Sequence, residues 1–508
     1  MNHRVSLLRL YRNLSALLVL SFFLPSVSAK ETTPEEAQLE EAFRRRTVDL
    51  EATYARDLLR AGAWAAQKGL RAEAKEVVAT VKAFSPRAKG LKKLRRQLKK
   101  KPTTEVEAAD LPKLKKSLAS RLSKAKSSQA KRLFDLATQC MKLGLFTRSY
   151  DLIGEVLELD TDYKKARRIL GFTLERKTKT WISNWEASMR KKHFLTKEGW
   201  IPKKWKKKWD SGLRNYKGKW VSIEEEKRIR TRNEYNPYRA ETEHFSVSTN
   251  LGRQVAYEYA VLLEDFYRQF FRVFIGYYDQ IAGAKLLFNR AAAKTKHKVK
   301  LFPTHKEYLT HIKAEHGNHK LLRESAGFYT SSDKRSRFYW TADLESTLDT
   351  MYHEITHQLL AETKGSSSSH NSKGNNWVVE GVAVYAETWL KEDGVWKPGK
   401  NTKQPELQRA KEGVRSFRLG EFVRIDNKEF HKEGRGMNYA ISGAIAHFFM
   451  HYDDEVYKED FVRFLSAYYA GEVKEGSLVD FIEVEGTESP AAAFARLNEQ
   501  FVKYVEEL

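Results

Sequence analysis

Residues 352–362 read YHEITHQLLAE, and residues 377–387 read WVVEGVAVYAE. The first stretch contains an HExxH pattern formed by His353, Glu354 and His357. Positions i and i+4 share one face of a helix, so both imidazoles can reach the same Zn²⁺ ion. Glu354 follows the first histidine directly and can act as a base on a water at that metal. The sequence therefore predicts a metal site carried by a helix.

A catalytic zinc needs a third protein ligand as well as an open position. Glu380 is the first candidate, because it lies in the apolar face of the second stretch, where an unpaired carboxylate would be costly. The intervening segment 365–376 (GSSSSHNSKGNN) is flexible enough to fold the second helix back onto the first. His370, within that segment, is the rival ligand.

The sequence before the motif alternates between short strands and a long helix. Residues 251–275 predict a helix rich in Tyr and Phe. Short apolar or aromatic runs predict strands at residues 244–249, 299–302, 327–330 and 337–340. After these strands the chain is expected to be mostly helical, so the region 240–508 predicts one α+β domain.

HEITHQLL followed by WVVEGVAVYAE resembles the gluzincin metallopeptidases, and it is most similar to the peptidase-MA-like domains of secreted bacterial proteins. The resemblance covers about residues 240–470. Carried over by position, it implies that His353, His357 and Glu380 bind Zn²⁺ and that Glu354 is the catalytic acid and base. It further implies hydrolysis of peptide or protein substrates through a metal-activated water.

Two positions depart from the family pattern. The gap between the motif and Glu380 is 22 residues, longer than in the best-known aminopeptidase branch. Val384 occupies the position of an Asp in the thermolysin branch, so the carboxylate that would orient a ligand histidine must lie elsewhere. Glu387 and Asp349 are the candidates. Tyr439 is the candidate oxyanion stabiliser that the family often uses, with a core tyrosine as the alternative.

Four further histidines do not belong to the motif. His311, His316 and His319 are expected in a polar surface loop, although their spacing also allows a second metal site. His447 is expected to be a packed histidine of a C-terminal helix.

Composition limits the protein classes that remain. The chain has 508 residues, of which 41% are hydrophobic, and this is typical of a globular protein. Its single cysteine, Cys140, excludes an intramolecular disulfide framework and any cysteine-rich metal site. The 91 Lys and Arg against 66 Asp and Glu give a net charge of +25 and suggest a polyanionic partner.

The N-terminus has the pattern of a secretory signal peptide. Three arginines precede the apolar run 14–24, and small residues follow a proline near residue 29. We expect cleavage after residue 29, with an uncleaved anchor as the alternative. With no other long apolar run, the sequence predicts a secreted, periplasmic or cell-envelope protein without a membrane-spanning segment.

Residues 30–175 have helical periodicity and a weak internal repeat with an offset of 75 residues. Gly69-Leu70 of the first copy aligns with Gly144-Leu145 of the second. The copies resemble tetratricopeptide (TPR) helical hairpins, which stack to form a groove. An ordinary helical bundle is the alternative.

The excess positive charge lies in two segments. Residues 87–126 carry a net charge of +12 and residues 176–239 a net charge of +13, whereas residues 240–508 carry −4. The second segment holds six of the eleven tryptophans and a hairpin pattern at 216–221. It is either a platform for polyanions or sugars or a compact connector with a tryptophan core. An anionic envelope polymer is the partner we consider, whereas nucleic acid is not expected.

Together these patterns predict four regions: a signal peptide (1–29), a TPR-like helical region with a basic linker (30–175), a basic Trp-rich connector (176–239) and a gluzincin-like domain (240–508). The predicted function is that of a secreted zinc metallopeptidase. The alternative is a cell-envelope binding or scaffold protein whose peptidase-like domain binds zinc but has only weak catalytic activity.

Overall fold

The computed structural model describes residues 34–100, 107, 109–142, 146–231, 236–279, 296–317, 325–364, 375–392, 394–432, 435–453, 455–474 and 476–508. The expected signal peptide and His370 lie outside these residues. The chain divides into two compact units, Met1–Leu170 and Gly171–Leu508.

The first unit is helical. Its helices are α1 (Pro34–Gln67), α2 (Arg71–Phe84), α3 (Leu91–Lys99), α4 (Leu111–Lys142), α5 (Phe146–Leu159) and α6 (Lys164–Ile169). Gly69, with a φ of +79°, makes the turn between α1 and α2. A Cβ on Gly62 would lie 2.9 Å from Val77 Cγ1, so α1 and α2 approach closely through this glycine. The first predicted helical hairpin is thus present as α1 and α2.

The second unit opens with three β-hairpins, each followed by helical residues. The strands are β1 (Phe172–Glu175), β2 (Thr180–Ser183), β3 (His193–Thr196), β4 (Gly199–Pro202), β5 (Leu213–Tyr216) and β6 (Lys219–Ser222). The helices are α7 (Asn184–Lys192), α8 (Lys206–Asp210) and α9 (Ile223–Thr231). The predicted hairpin at 216–221 is confirmed as β5 and β6, joined by Lys217 and Gly218 with φ of +48° and +89°.

A mixed five-stranded sheet follows, with the order β10-β11-β9-β8-β7. Its strands are β7 (Tyr238–Glu241), β8 (Phe245–Thr249), β9 (His297–Phe302), β10 (Gly327–Thr330) and β11 (Arg335–Tyr339). The strands β8, β9 and β11 are parallel, and β7 and β10 pair antiparallel at the two edges.

Helices cover this sheet and continue to the C-terminus. They are α10 (Arg253–Val273), α11 (Ile275–Asp279), α12 (His305–His316), α13 (Leu344–Lys364), α14 (Asn376–Glu387), α15 (Pro405–Gly413), α16 (Leu419–Phe422), α17 (Asn427–Phe430), α18 (Arg435–His451), α19 (Lys458–Ala470) and α20 (Pro490–Glu507). A small hairpin, β12 (Leu390–Glu392) and β13 (Val395–Lys397), follows α14. One apolar core joins the sheet, α10, α13, α14 and the later helices.

The predicted α+β class is confirmed, and each of the four predicted strands is present within a few residues of its expected position. The long predicted helix at 251–275 is α10, which ends at Val273. Within the described residues, no helix is both long enough and apolar enough to cross a membrane.

Candidate metal centre

The HExxH motif lies on α13, which packs against β10, β11 and α14. Met351, Ile355 and Leu359 form the core-facing side of this helix and are at most 1% exposed. Ser336 of β11 donates a hydrogen bond to the backbone carbonyl of Glu354 over 3.2 Å. The apolar side therefore fixes the helix on the sheet and leaves the opposite side of the same turns for the two histidines.

Helix α14 carries Glu380 and lies against both α13 and α18. A Cβ on Gly381 would lie 2.4 Å from the backbone oxygen of Ser442, and a Cβ on Gly443 would lie 2.3 Å from Val384 Cγ1. Real Cβ atoms do not come so close, and the two glycines therefore permit a backbone-to-backbone approach of α14 and α18. This approach sets the position of Glu380 beside α13.

The three predicted ligands converge. Glu380 Oε2 lies 3.3 Å from His353 Nε2 and 3.4 Å from His357 Nε2. The three donor atoms all lie within 4.8 Å of one another. Zinc binds such atoms at roughly 2.0–2.1 Å in a tetrahedron, which places neighbouring ligand atoms about 3.3–3.4 Å apart. The donor set and two of its three separations therefore fit a zinc ion.

The charges of the site are strongly coupled. Burial lowers the pKa of His353, but hydrogen bonds with Glu380 and Glu387 raise it well above its ordinary value. Burial raises the pKa of Glu380, but His357 and the hydrogen bonds of both imidazoles lower it well below the usual range. The Glu380 carboxyl is thus held as an anion, which is the form that binds a metal.

Glu354 and Glu380 both belong to the site, but their carboxyl groups have different environments. Its side chain is buried, and burial raises its pKa despite the opposing effect of the His353 and His357 imidazoles. It is not one of the three converging donors. The two environments therefore shift the pKa values of the two carboxyls in opposite directions.

A second carboxylate orients His353. Glu387 Oε1 accepts from His353 Nδ1 over 2.6 Å, and Glu387 Oε2 accepts from Gln404 Nε2 over 2.6 Å. Gln404 also caps α15, since its Oε1 accepts from the Leu407 backbone N–H over 3.0 Å. Glu387, one of the two candidates for this role, is thus hydrogen-bonded to the ring. It leaves Nε2 of the same ring to face Glu380.

The edge strand β10 lies beside Glu354. A Cβ on Gly327 would lie 2.9 Å from Glu354 Cγ and 2.9 Å from Thr350 Cγ2, so only glycine fits between the strand and α13. The strand pairs with β11 on one side and is at the edge of the described sheet on the other. Backbone groups at a sheet edge can pair with an extended peptide.

Tyr439 and Tyr468 lie in different surroundings. Tyr439 is half-buried, with its ring 5.6 Å from Phe430 and 6.3 Å from His431. Tyr468, on α19, belongs to no sequence motif, yet burial and the charge of Glu380 raise its pKa to about 12. It lies 88 residues beyond Glu380, and no local pattern connects the two positions.

The expectation for the other histidines is partly wrong. His311 is not in a surface loop: it lies on α12, is 2% exposed and accepts from Arg337 Nε over 3.2 Å. Burial, aided by the cations Lys300 and Arg337, lowers its pKa to about 3, so it is a neutral structural partner of a buried arginine. His316 ends the same helix, and His319 lies outside the described residues.

His447 is a packed histidine, as predicted. It is 3% exposed, and its two ring nitrogens contact the Tyr504 hydroxyl and the Gly399 carbonyl at 2.7 and 2.8 Å.

One other group of metal-ligating residues occurs in the described part of the chain, formed by Glu243, His244 and Glu264. Here His244 Nδ1 lies only 2.6 Å from Glu264 Oε1, and the His244 backbone N–H donates to Glu264 Oε2 over 3.0 Å. These are direct hydrogen bonds that satisfy the buried carboxylate, and they are shorter than the spacing of ligands around a zinc ion. His244 and Glu264 therefore form a structural hydrogen-bonded pair.

No family model matches the chain, and the comparisons with curated proteins and with solved structures give no match either. The geometry of the site consequently carries the functional assignment.

Proposed function

We propose that this protein is a zinc-dependent metallopeptidase of the gluzincin type. The observation that supports it is the spacing of His353, His357 and Glu380, because two of their three donor-atom separations fit a tetrahedral zinc ion. Glu354 lies beside them and is not one of the three donors. A purely structural zinc site needs four protein ligands and no buried acid next to them. The arrangement of an antiparallel edge strand with α13 and α14 is consistent with a zincin-like domain.

The three ligands would leave the fourth position of Zn²⁺ open to solvent and substrate. When bound, the ion would supply a Lewis acid that polarises the scissile carbonyl and acidifies water. Glu387 holds His353 in one ring orientation, and the chain thereby presents Nε2 rather than Nδ1 to the metal.

Glu354 would move the protons of the reaction. Its carboxylate would accept a proton from the attacking water and donate that proton to the departing amine. Because burial raises the pKa of Glu354, its protonated form is more easily reached than that of an exposed glutamate. This favours the second transfer, in which the amine must be protonated before it can leave.

The substrate would lie along β10. Its four residues, Gly327–Thr330, are paired with β11 through one edge, and Gly327 brings the strand against Glu354. An extended peptide added to this edge would run past the general base, and its backbone groups would be satisfied by main-chain hydrogen bonds. The proposed substrate class is therefore an extended peptide or an unfolded protein segment.

The first unit is proposed to be TPR-like and to bind or position a partner. The support is the tight α1–α2 hairpin, in which Gly62 meets Val77 and Ala74 is fully buried. Small residues at these places allow two antiparallel helices to pack closely.

A peptide library tests the function whatever the cleavage specificity is. Zinc-loaded protein and its Glu354→Gln variant are incubated with a tryptic proteome digest, and new termini are counted by mass spectrometry. We expect new termini with the native chain and at least a hundredfold fewer with the variant, while both retain zinc. Equal cleavage by the two proteins would refute the role of Glu354. Absence of cleavage by zinc-loaded native protein would favour the binding-protein alternative.

A further inference from the structure

The three hairpins of residues 171–231 are an internal repeat. The second strand of each hairpin contains a similar tripeptide: Trp-Ile-Ser (181–183) in β2, Trp-Ile-Pro (200–202) in β4 and Trp-Val-Ser (220–222) in β6. The tryptophans are spaced by 19 and 20 residues. Each is followed by helical residues. We call residues 171–231 the hairpin–helix array.

Tryptophans join successive repeats. The Trp185 ring lies edge-on to Trp200 at 6.0 Å, and the Trp205 ring lies edge-on to Trp220 at 5.5 Å. In both contacts a tryptophan that follows one hairpin packs against the strand tryptophan of the next. These rings are half-buried in the array, so they are used for packing and are poorly placed for stacking on a ligand.

Four of the five arginines of the array are used in internal salt bridges. Arg190 binds Glu175 and Glu186, Arg214 binds Glu198, Arg228 binds Glu225 and Arg230 binds Glu226. Lys206 pairs with Asp210. Six of the seven acidic side chains in the array are therefore neutralised by these partners.

The array is fixed to the domain that carries the metal centre. Arg253 of α10 binds Glu226 over 2.5 Å and lies 3.8 Å from Glu198, so it contacts two repeats. A Cβ on Gly199 would lie 3.2 Å from the Tyr257 ring, which shows that β4 packs directly on α10. The array therefore holds a fixed position relative to α10.

Exposed lysines remain outside these salt bridges. They are Lys177, Lys179, Lys191, Lys192, Lys197, Lys203, Lys204, Lys207, Lys208, Lys217, Lys219 and Lys227. Contacts link several of them across the repeats. Lys203 Nζ donates to the backbone carbonyls of Arg190 and Lys191 at 2.7 and 3.2 Å, and Lys208 Nζ lies 4.7 Å from the Trp220 ring. We call Lys191, Lys192, Lys203, Lys204, Lys207, Lys208 and Lys219 the lysine surface.

We infer that the lysine surface binds an acidic polysaccharide. The array carries 18 basic against 7 acidic residues, and its uncompensated charge is almost wholly lysine. Lysine binds carboxylates and sulfates as a point charge, without the bidentate geometry that arginine provides. A flexible polymer with regularly spaced anions matches a surface of this kind, because each contact releases counterions and requires no shaped pocket.

Nucleic acid is a poorer match to the same surface. Base-tolerant binding of single strands uses aromatic rings as stacking platforms, and base-specific binding uses bidentate arginines. In the array Trp185 packs on Trp200 and Trp205 packs on Trp220, and four of the five arginines are engaged with carboxylates. Binding would therefore depend on charge alone, and it would attach the proposed peptidase to an acidic polymer.

The test uses the full chain and two variants of equal charge. One carries Lys→Gln at positions 203, 204, 207 and 208, and the control carries Lys→Gln at 92, 93, 99 and 100 in the first basic segment. All eight side chains are exposed. The probe is a fluorescent heparin dodecasaccharide, titrated at several salt concentrations, with a 20-nucleotide oligo(dT) as the competing polyanion.

We expect the first variant to bind heparin at least tenfold more weakly than the native chain, and the control to change by less than threefold. The slope of log Kd against log salt should decrease by about 3 to 4 in the first variant only, close to one per lysine lost. A Lys→Arg version at the same four positions should restore binding, because it restores the charge. Equal losses in both Gln variants would overturn the inference, and tighter binding of oligo(dT) than of heparin would overturn the choice of polysaccharide. The proposed peptidase activity does not enter this test.

Discussion

The contact between Glu387 and His353 gives the most specific prediction. Glu387 uses one oxygen for His353 Nδ1 and the other for Gln404 Nε2, each over 2.6 Å. In a Glu387→Gln variant the amide oxygen can still accept from His353. The new NH₂ group then faces the NH₂ group of Gln404, and two donors oppose each other. If the Gln404 amide flips, its NH₂ group faces the Leu407 N–H, whose hydrogen bond the Gln404 oxygen accepts in the native protein.

The size of the effect follows from these contacts. Glu387→Gln replaces a charge-assisted hydrogen bond by a neutral one and leaves one buried donor without an acceptor, at a cost of roughly 1–3 kcal/mol. Loss of such an orienting partner typically reduces metal affinity by about 10–100-fold, which corresponds to roughly 1.4–2.7 kcal/mol. We therefore expect zinc affinity to decrease by about 10–100-fold.

The assay is competition for Zn²⁺ between metal-free protein and a chromogenic chelator at pH 7.5. The double variant Glu387→Gln/Gln404→Glu is the matched rescue, because the new carboxylate accepts both from the amide at 387 and from the Leu407 N–H. We expect it to recover at least half of the lost binding free energy. A zinc Kd within twofold of the native value in Glu387→Gln would refute the positioning role. A double variant as weak as the single one would refute the proposed hydrogen-bond chain.

Three further predictions concern other parts of the same domain. Gly381→Ala should lower the free energy of unfolding by about 1–3 kcal/mol, because the new Cβ would lie 2.4 Å from the Ser442 backbone oxygen. Gly154→Ala is the control, because a Cβ at Gly154 would have no atom within 4 Å. Equal melting temperatures for the two variants would contradict the contact. Burial lowers the pKa of His447 to about 4, below its unfolded value of about 6.5, so its contribution to stability is complete above pH 6.5 and decreases towards pH 4. Urea unfolding should show that this residue makes the protein about 2 kcal/mol less stable at pH 5 than at pH 7.5. The pH dependence of the unfolding free energy should become smaller in His447→Gln. An unchanged dependence would contradict the lowered pKa of His447. If the Tyr439 hydroxyl stabilises the oxyanion, Tyr439→Phe should reduce the rate of peptide hydrolysis by about 10²–10³-fold without loss of zinc. An unchanged rate would mean that Tyr439 is a core residue.

The parts of the site that lie on one helix could be predicted from the sequence. The i, i+4 spacing places His353 and His357 on one face without any knowledge of the tertiary structure. Glu380 could be selected because a carboxylate within an apolar helix needs a partner. Glu387, two helical turns after Glu380, could be named as one of two candidates, but only the packing of α14 against α13 places it on the His353 ring.

Features that depend on long-range packing could not be predicted. Gln404 and Tyr468 have no local pattern that connects them to the site, because loops and helix packing determine their positions. The sheet order β10-β11-β9-β8-β7 joins β11 to β9 across an intervening helix, and a sequence gives only weak information on such pairing. By contrast, the repeat of Trp181, Trp200 and Trp220 is visible in the sequence as a period of 19–20 residues, and this spacing alone could have indicated three similar hairpins.

The zinc content of purified protein tests the proposed ligand set most directly. We predict one Zn²⁺ per chain in the native protein and in Glu354→Gln, and less than a tenth of that in Glu380→Ala after dialysis against a weak chelator. We also predict full zinc content in His370→Ala. Loss of zinc from the His370 variant together with retention in the Glu380 variant would contradict the ligand set and the mechanism built on it.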